Sequence, residues 1–268
     1  MIVTINVPFN LEQICDSGQC FRCDKLHNDI FRFVHLTYVL YIKQINNNQY
    51  EVSVSEDEWN SIWTPYFDLN SNYRLGLVND SFLSNAVKFG EGIRILCQDP
   101  FEMLISYIIS QQKSIPQIKR AVNNISCKYG QKIVTQYETV YSFPSKEVLS
   151  QLTINDLQEF KLGYRTKYIM DALARLRDGS INLERMFSYT TDEIISELKT
   201  IKGVGDKISN CVCLFAYHRL ECVPKDVWIK RIISEYFNGK NKFEQYASYA
   251  GLMQQYAYYY IRRNVMEN

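Results

Sequence analysis

At Asp99 the hydrophobic period of the chain changes, and no other feature constrains its fold as much. Before that point apolar and β-branched residues come in short runs. Phe31-Arg-Phe-Val-His-Leu-Thr-Tyr-Val-Leu-Tyr-Ile42 is one run, and Tyr50-Glu-Val-Ser-Val54 alternates after the turn cluster Asn46-Asn-Asn-Gln49. Two such runs around a polar turn predict an antiparallel hairpin. Beyond Asp99, Phe101, Leu104, Ile105 and Ile108 recur at i, i+3, i+4 and i+7, with Pro100 at a helix start. That spacing places them on one buried helical face.

Helical spacing then continues. It predicts helices over 115–129, 134–141, 146–151, 154–159, 165–178, 183–188, 191–198, 206–217, 227–237 and 243–263, with no strand signal of comparable strength among them. In the first part, 59–67 and 73–89 also read as helical, with Asp80-Ser81 as a helix start. The expected fold class is therefore α+β. An antiparallel β-rich N-terminal domain spans 1–98, and an all-α domain spans 99–268.

A chain of 268 residues has room for one large domain or a few smaller ones around real cores. The net charge is only +1, but residues 1–98 carry −4 and residues 99–268 carry +5. The basic excess thus sits in the helical part, where a polyanion-facing domain needs it. Twenty tyrosines suit a surface that stacks on a partner and hydrogen-bonds it. An AT-rich genome that favours tyrosine codons accounts for them equally well.

The first ten residues lack a basic and apolar leader pattern, and no run of eighteen apolar residues exists. No membrane association is expected. The eight scattered cysteines then read as free thiols of an intracellular protein, in the cytoplasm or nucleoid if the source is bacterial. Cys20-Phe-Arg-Cys23 has the spacing of half a zinc site, but no second half with matching spacing follows, so no metal and no cofactor are expected.

The most informative stretch is Leu198-Lys-Thr-Ile-Lys-Gly203-Val204-Gly205-Asp-Lys207. One helix ends near Leu198, a glycine hairpin turns the chain, and a second helix starts near Asp206. This helix–hairpin–helix occupies about 191–217. Small residues around Val204 let backbone approach a phosphate, and the N–H groups of the new helix offer donors to the anion. Such a grip holds DNA without reading its sequence. Taken alone, the hairpin is equally a tight turn. Nineteen residues beyond Lys207 comes Val223-Pro-Lys-Asp226. The intervening helix is short enough for a loop to return Asp226 toward its N-terminal end.

In these residues the chain resembles the 8-oxoguanine DNA glycosylase/AP lyase family, within the helix–hairpin–helix DNA glycosylase superfamily. Ser17-Gly18-Gln-Cys-Phe21-Arg22, Gly92-Ile-Arg-Ile-Leu-Cys-Gln-Asp99-Pro-Phe-Glu102 and Leu162-Gly163-Tyr164-Arg165 are similar to further family segments, in the same order. Related endonuclease III and adenine glycosylase proteins usually carry a four-cysteine iron–sulfur loop near the C-terminus. Here no cysteine follows Cys222, which disfavours that branch.

The resemblance implies a bifunctional enzyme that acts as a monomer on double-stranded DNA containing oxidised guanine. Lys207 is the nucleophile that attacks sugar C1′ and forms a Schiff base, which permits β-elimination. Asp226 stabilises positive charge developing on the sugar, although as the residue before Val227 it also reads as a plain helix N-cap. Gly18 offers a carbonyl to N7–H, a proton that 8-oxoguanine carries and guanine lacks. Cys211 and Tyr258 cover the two faces of the flipped base, and Gln254 meets its edge; all three read equally as core positions. Gln112 fills the void left by the base, while Tyr164 and Arg165 touch the opposite strand.

Two positions depart from the family pattern. Gln117 stands where better-known members carry an arginine that reads the opposite cytosine, and Trp228 stands where a histidine is usual. Two alternatives compete with the leading assignment. A monofunctional glycosylase for alkylated bases would use water and has no need of Lys207. A non-enzymatic helix–hairpin–helix module has no need of Asp226.

Overall fold

The structure is a computed structural model and describes residues 1–73 and 75–266. Five strands form one sheet in the order β1-β5-β4-β3-β2: β1 Ile2–Thr4, β2 Cys23–Lys25, β3 Phe31–His35, β4 Tyr38–Gln44 and β5 Gln49–Val52. β5 lies antiparallel between β1 and β4, with Val3 opposite Tyr50 and Lys43 opposite Glu51. The long apolar run expected as a single strand is two strands, because Leu36 adopts a positive φ of 53° and turns the chain.

By compactness the chain forms two units, which differ from the domains 1–98 and 99–268 expected from sequence. One comprises residues 1–32, 40–97 and the chain from His218 onward; the other comprises 33–39 and 98–217. The period change at Asp99 coincides with one boundary. The C-terminal helices, however, group with the sheet.

In the first unit, Phe9 stands edge-on to both Tyr50 and Phe67, with ring centroids 5.3 and 5.2 Å apart. Trp63 and Tyr66 extend this cluster, and Trp63 is fully buried. Truncating so large a buried ring costs about 3–5 kcal/mol. The C-terminal helix Ala250–Met266 packs on the Ser81–Gly90 helix, with Phe89 5.4 Å from Tyr259 and Phe82 5.5 Å from Tyr260.

In the second unit, the Pro100–Ser110 helix is buried at every position from Phe101 to Ser110. Asp99 caps it by accepting from Glu102 N at 2.7 Å. A buried central helix has lost the one-sided stripe of a surface helix.

Several expectations are corrected. Residues 134–141 are not a helix: β6 Lys132–Val134 and β7 Thr139–Tyr141 form an antiparallel pair, with Ile133 opposite Val140. Thr135 Oγ1 accepts from Tyr137 N and Glu138 N, and this local turn outcompetes the helix. The helix expected over 73–89 begins only at Ser81, where Asp80 caps it; position 74 of that expectation lies outside the described residues.

The expected 243–263 helix is broken by a positive φ of 43° at Ala247, and its regular part starts at Ala250. The eight thiols are not all free. Cys15 and Cys23 form a disulfide that closes the Ser17–Gly18 turn, so Cys23 is not half of a zinc site. Among the described residues no helix is long and apolar enough to cross a membrane.

Candidate active site

The hairpin is built as its glycines dictate. Thr190 caps the Thr191–Leu198 helix, the chain turns, and the Asp206–Phe215 helix begins with Gly205 as its N-cap. Gly203 has φ +81°, and a Cβ there would lie 2.2 Å from the Tyr168 ring. Lys202 N donates to Asp171 Oδ2 at 2.8 Å, which ties the turn to the Arg165–Asp178 helix.

Gly205 is different. Its φ is not positive, and a Cβ there would meet nothing within 4 Å. The fold itself does not require glycine at 205, so the requirement points to a ligand outside the chain. Gly203→Ala is expected to lower stability by about 1–2 kcal/mol from the positive φ alone. Gly205→Ala should leave the thermal midpoint unchanged and weaken DNA binding. Equal midpoints for the two variants would refute this division.

Lys207 sits one turn into the second helix and is half-buried. Its Nζ donates to Ser110 Oγ at 3.3 Å and lies 5.3 Å from the centroid of the Tyr107 ring. Tyr107 in turn stacks on Phe215, with the rings inclined by 16°. The amine is thus held over an aromatic wall by a hydroxyl that competes little with an incoming electrophile. Sequence reasoning quoted Ser110 in its loop but gave it no role, and it did not single out Tyr107. Cys211 follows one turn after Lys207 and is buried.

The loop after Ser110 is also constrained. Gln112 is exposed with φ 51°. Arg165 donates through Nε and one terminal nitrogen to the Gln111 carbonyl, and through the other to Leu162 O at 3.1 Å. Arg165 is buried and lies 4.5 Å from the Tyr164 ring centroid, while Tyr164 is exposed. Gln117 is exposed, but its Oε1 accepts from Ser114 N at 3.0 Å and closes a capping box. Both residues expected at the opposite strand therefore also hold their own loop.

In the other unit, Asp226 Oδ1 accepts from Ile229 N at 2.9 Å and caps the Val227–Glu235 helix. Trp228 is half-buried in the first turn of that helix. Gln254 is buried on the C-terminal helix, and no described residue partners its Oε1. Tyr258, one turn further, is half-exposed, with the Arg262 guanidinium 5.3 Å from its ring centroid. In the stretch Ser17–Cys23 every residue is buried except Gly18, which has φ +80°. Lys207, Ser110, Tyr107 and Cys211 are features of one unit; Gly18, Gln254, Tyr258 and Asp226 are features of the other. Among the described residues no group of His, Cys, Asp and Glu has metal-holding geometry.

Two helices joined by a glycine hairpin, with an amine in the first turn of the second, define the class of helix–hairpin–helix proteins. Residues 1–104 match the family described as 8-oxoguanine DNA glycosylase, N-terminal domain. The chain is 34% identical to MBOgg1, solved in complex with a low-affinity DNA ligand, at a TM-score of 0.93 over 100% of this chain and 96% of that one.

It is also 34% identical to the Clostridium acetobutylicum 8-oxoguanine glycosylase/lyase, solved with double-stranded DNA containing cytosine opposite 8-oxoguanine. There the TM-score is 0.90, over 99% of this chain and 98% of that one. The N-glycosylase/DNA lyase of Saccharomyces cerevisiae is 35% identical over 154 residues, which are 53% of this chain and 41% of the yeast protein. The chain belongs to the 8-oxoguanine DNA glycosylase/lyase family.

Proposed function

We propose that the protein removes 8-oxoguanine from duplex DNA and then cleaves the strand at the resulting abasic sugar. The observation that carries this reading is the Lys207 amine, held by the Ser110 hydroxyl over Tyr107 directly behind a glycine hairpin that lies open at Gly205. A monofunctional enzyme that activates water needs no such amine.

The base must leave the stack to be reached. As the N-glycosidic bond breaks, the neutral Lys207 amine bonds to C1′ and the base departs with the bonding pair. Opening of the sugar ring gives an iminium that acidifies the C2′ proton. Loss of that proton breaks the C3′–O bond and releases the 3′ phosphate. Asp226 lowers the barrier by opposing the positive charge that develops on the sugar.

The Gly18 carbonyl and the unpartnered Gln254 amide read the base edge, and Cys211 and Tyr258 cover its faces. Gln112 enters the vacated space, Tyr164 and Arg165 meet the opposite strand, and Gly203, Val204 and Gly205 grip phosphate. The enzyme works as an intracellular monomer on double-stranded DNA. Trp228 makes no charged contact with phosphate in this scheme.

The opposite-base preference follows from the loop. Arg165 is already engaged by the Gln111 carbonyl, and Gln117 is uncharged, with a donor and an acceptor that suit several base edges. Each bidentate contact is worth roughly 1–3 kcal/mol of discrimination, and 1.4 kcal/mol is about tenfold. Single-turnover excision of 8-oxoguanine opposite C, A, G and T is expected to give rates within about tenfold of one another. Gln117→Arg should restore part of a cytosine preference, at the cost of its capping box. A wild-type preference for cytosine above about a hundredfold refutes this; no excision opposite any base refutes the function itself.

A further inference from the structure

The turn that presents Gly18 is held by a side chain that no sequence signal singles out. Gln255 Nε2 donates to the Ser17 carbonyl at 2.6 Å, across 238 positions of sequence, and Gln255 is 2% exposed. Two turns further along the same helix face, Arg262 donates to the Asp16 carbonyl at 3.1 Å. The helix thus caps two successive carbonyls of the turn.

From the other side Gln19 is locked in place. Its Nε2 donates to Ser17 Oγ at 2.9 Å and to Arg94 O at 2.8 Å, and its Oε1 accepts from Leu96 N at 2.8 Å. Arg94 is itself anchored, donating to Ser71 O at 2.7 Å and stacking 3.8 Å from the centroid of Tyr73. The polar groups on either side of Gly18 are therefore occupied, and no described residue hydrogen-bonds to the Gly18 main chain.

Gln255 is also the immediate neighbour of Gln254. Consecutive helical residues point about 100° apart. One amide is tied to the turn; the other is buried with its Oε1 unpartnered. A rigid helix that clamps Ser17 with one residue and presents an open amide with the next fixes the separation of Gly18 from Gln254.

We propose that Gln255 is a positioning residue for base recognition, setting the register between the Gly18 carbonyl and the Gln254 amide. This rests on the reading of Gly18 and Gln254 as the base-edge contacts. A carbonyl selects a single proton by distance and direction, since hydrogen bonds weaken steeply when bent or stretched. Loss of the clamp lets the turn relax, and the recognition contact loses its alignment while the sugar chemistry at Lys207 and Asp226 stays intact.

The test separates these two parts. Gln255→Met keeps the buried volume and removes the donor. It is expected to slow 8-oxoguanine excision about tenfold, the scale of one lost buried hydrogen bond. Cleavage of a preformed abasic site, which contains no base to recognise, should remain within about twofold of wild type. Gln255→Glu guards against misfolding of the first variant. Its protonated carboxyl donates and its carboxylate cannot, so its excision relative to wild type should recover as pH falls, while that of Gln255→Met should not.

Parallel loss of excision and abasic-site cleavage would make Gln255 merely structural and overturn the proposal. Unchanged excision in both variants would also overturn it. Wild-type protein that cleaves abasic sites but excises no 8-oxoguanine would instead refute the underlying assignment of base and function.

Discussion

Lys207→Gln will bind duplex DNA containing 8-oxoguanine as wild type does, yet will neither excise the base nor form an adduct under borohydride. The glutamine amide still reaches the Ser110 hydroxyl that now receives a hydrogen bond from the amine. The loss of packing is confined to a half-buried cation over Tyr107, worth about 0.5–1 kcal/mol. The hairpin at Gly203 and Gly205 is untouched, so the phosphate grip survives. What disappears is the nucleophile, and removal of a nucleophile from an assembled site costs more than about 10³-fold in rate. Trapping isolates the point, because borohydride reduces an iminium and an iminium requires the amine. Undiminished trapping in the variant would assign the chemistry to another amine.

Asp226→Asn is expected to separate architecture from catalysis. Asp226 accepts from Ile229 N, and asparagine caps a helix as well as aspartate does. The thermal midpoint should therefore stay within the error of the measurement. Excision should fall by about 10²–10³-fold, the scale of losing one preorganised electrostatic contact to a developing charge. Asp226→Ala should lose the cap too, costing about 1 kcal/mol on top of the rate. An asparagine variant within a few-fold of wild type would leave Asp226 as a cap alone.

Local patterns in the chain carried much of this. The hairpin glycines, the amine at a helix start and the aspartate after Pro224 are short-range signals, and each lies where its spacing predicted. The change of period at Asp99 located a real boundary. Other features are invisible along the chain because their cause is distant. Ser110 meets Lys207 across 97 positions and Gln255 meets Ser17 across 238.

The β6–β7 hairpin escaped because periodicity over eight residues cannot distinguish a strand pair from a helix, and only the Thr135 turn decides between them. The Cys15–Cys23 disulfide escaped because the loop that brings two thiols together is set by the Leu11–Asp16 helix and β2, not by cysteine spacing.

One compact unit is assembled from both ends of the chain, with 98–217 inserted between them. On the ribosome this separates its parts in time. At roughly 5–20 residues per second, the early strands wait on the order of ten seconds for the helix Ala250–Met266 that covers Ser81–Gly90. The inserted unit depends on the N-terminal part only for residues 33–39, so most of its contacts are available first. The carbonyl that presents itself at Gly18 is thus synthesised early but set late, when Gln255 emerges. A nascent chain can own its nucleophile before it owns its means of choosing a base.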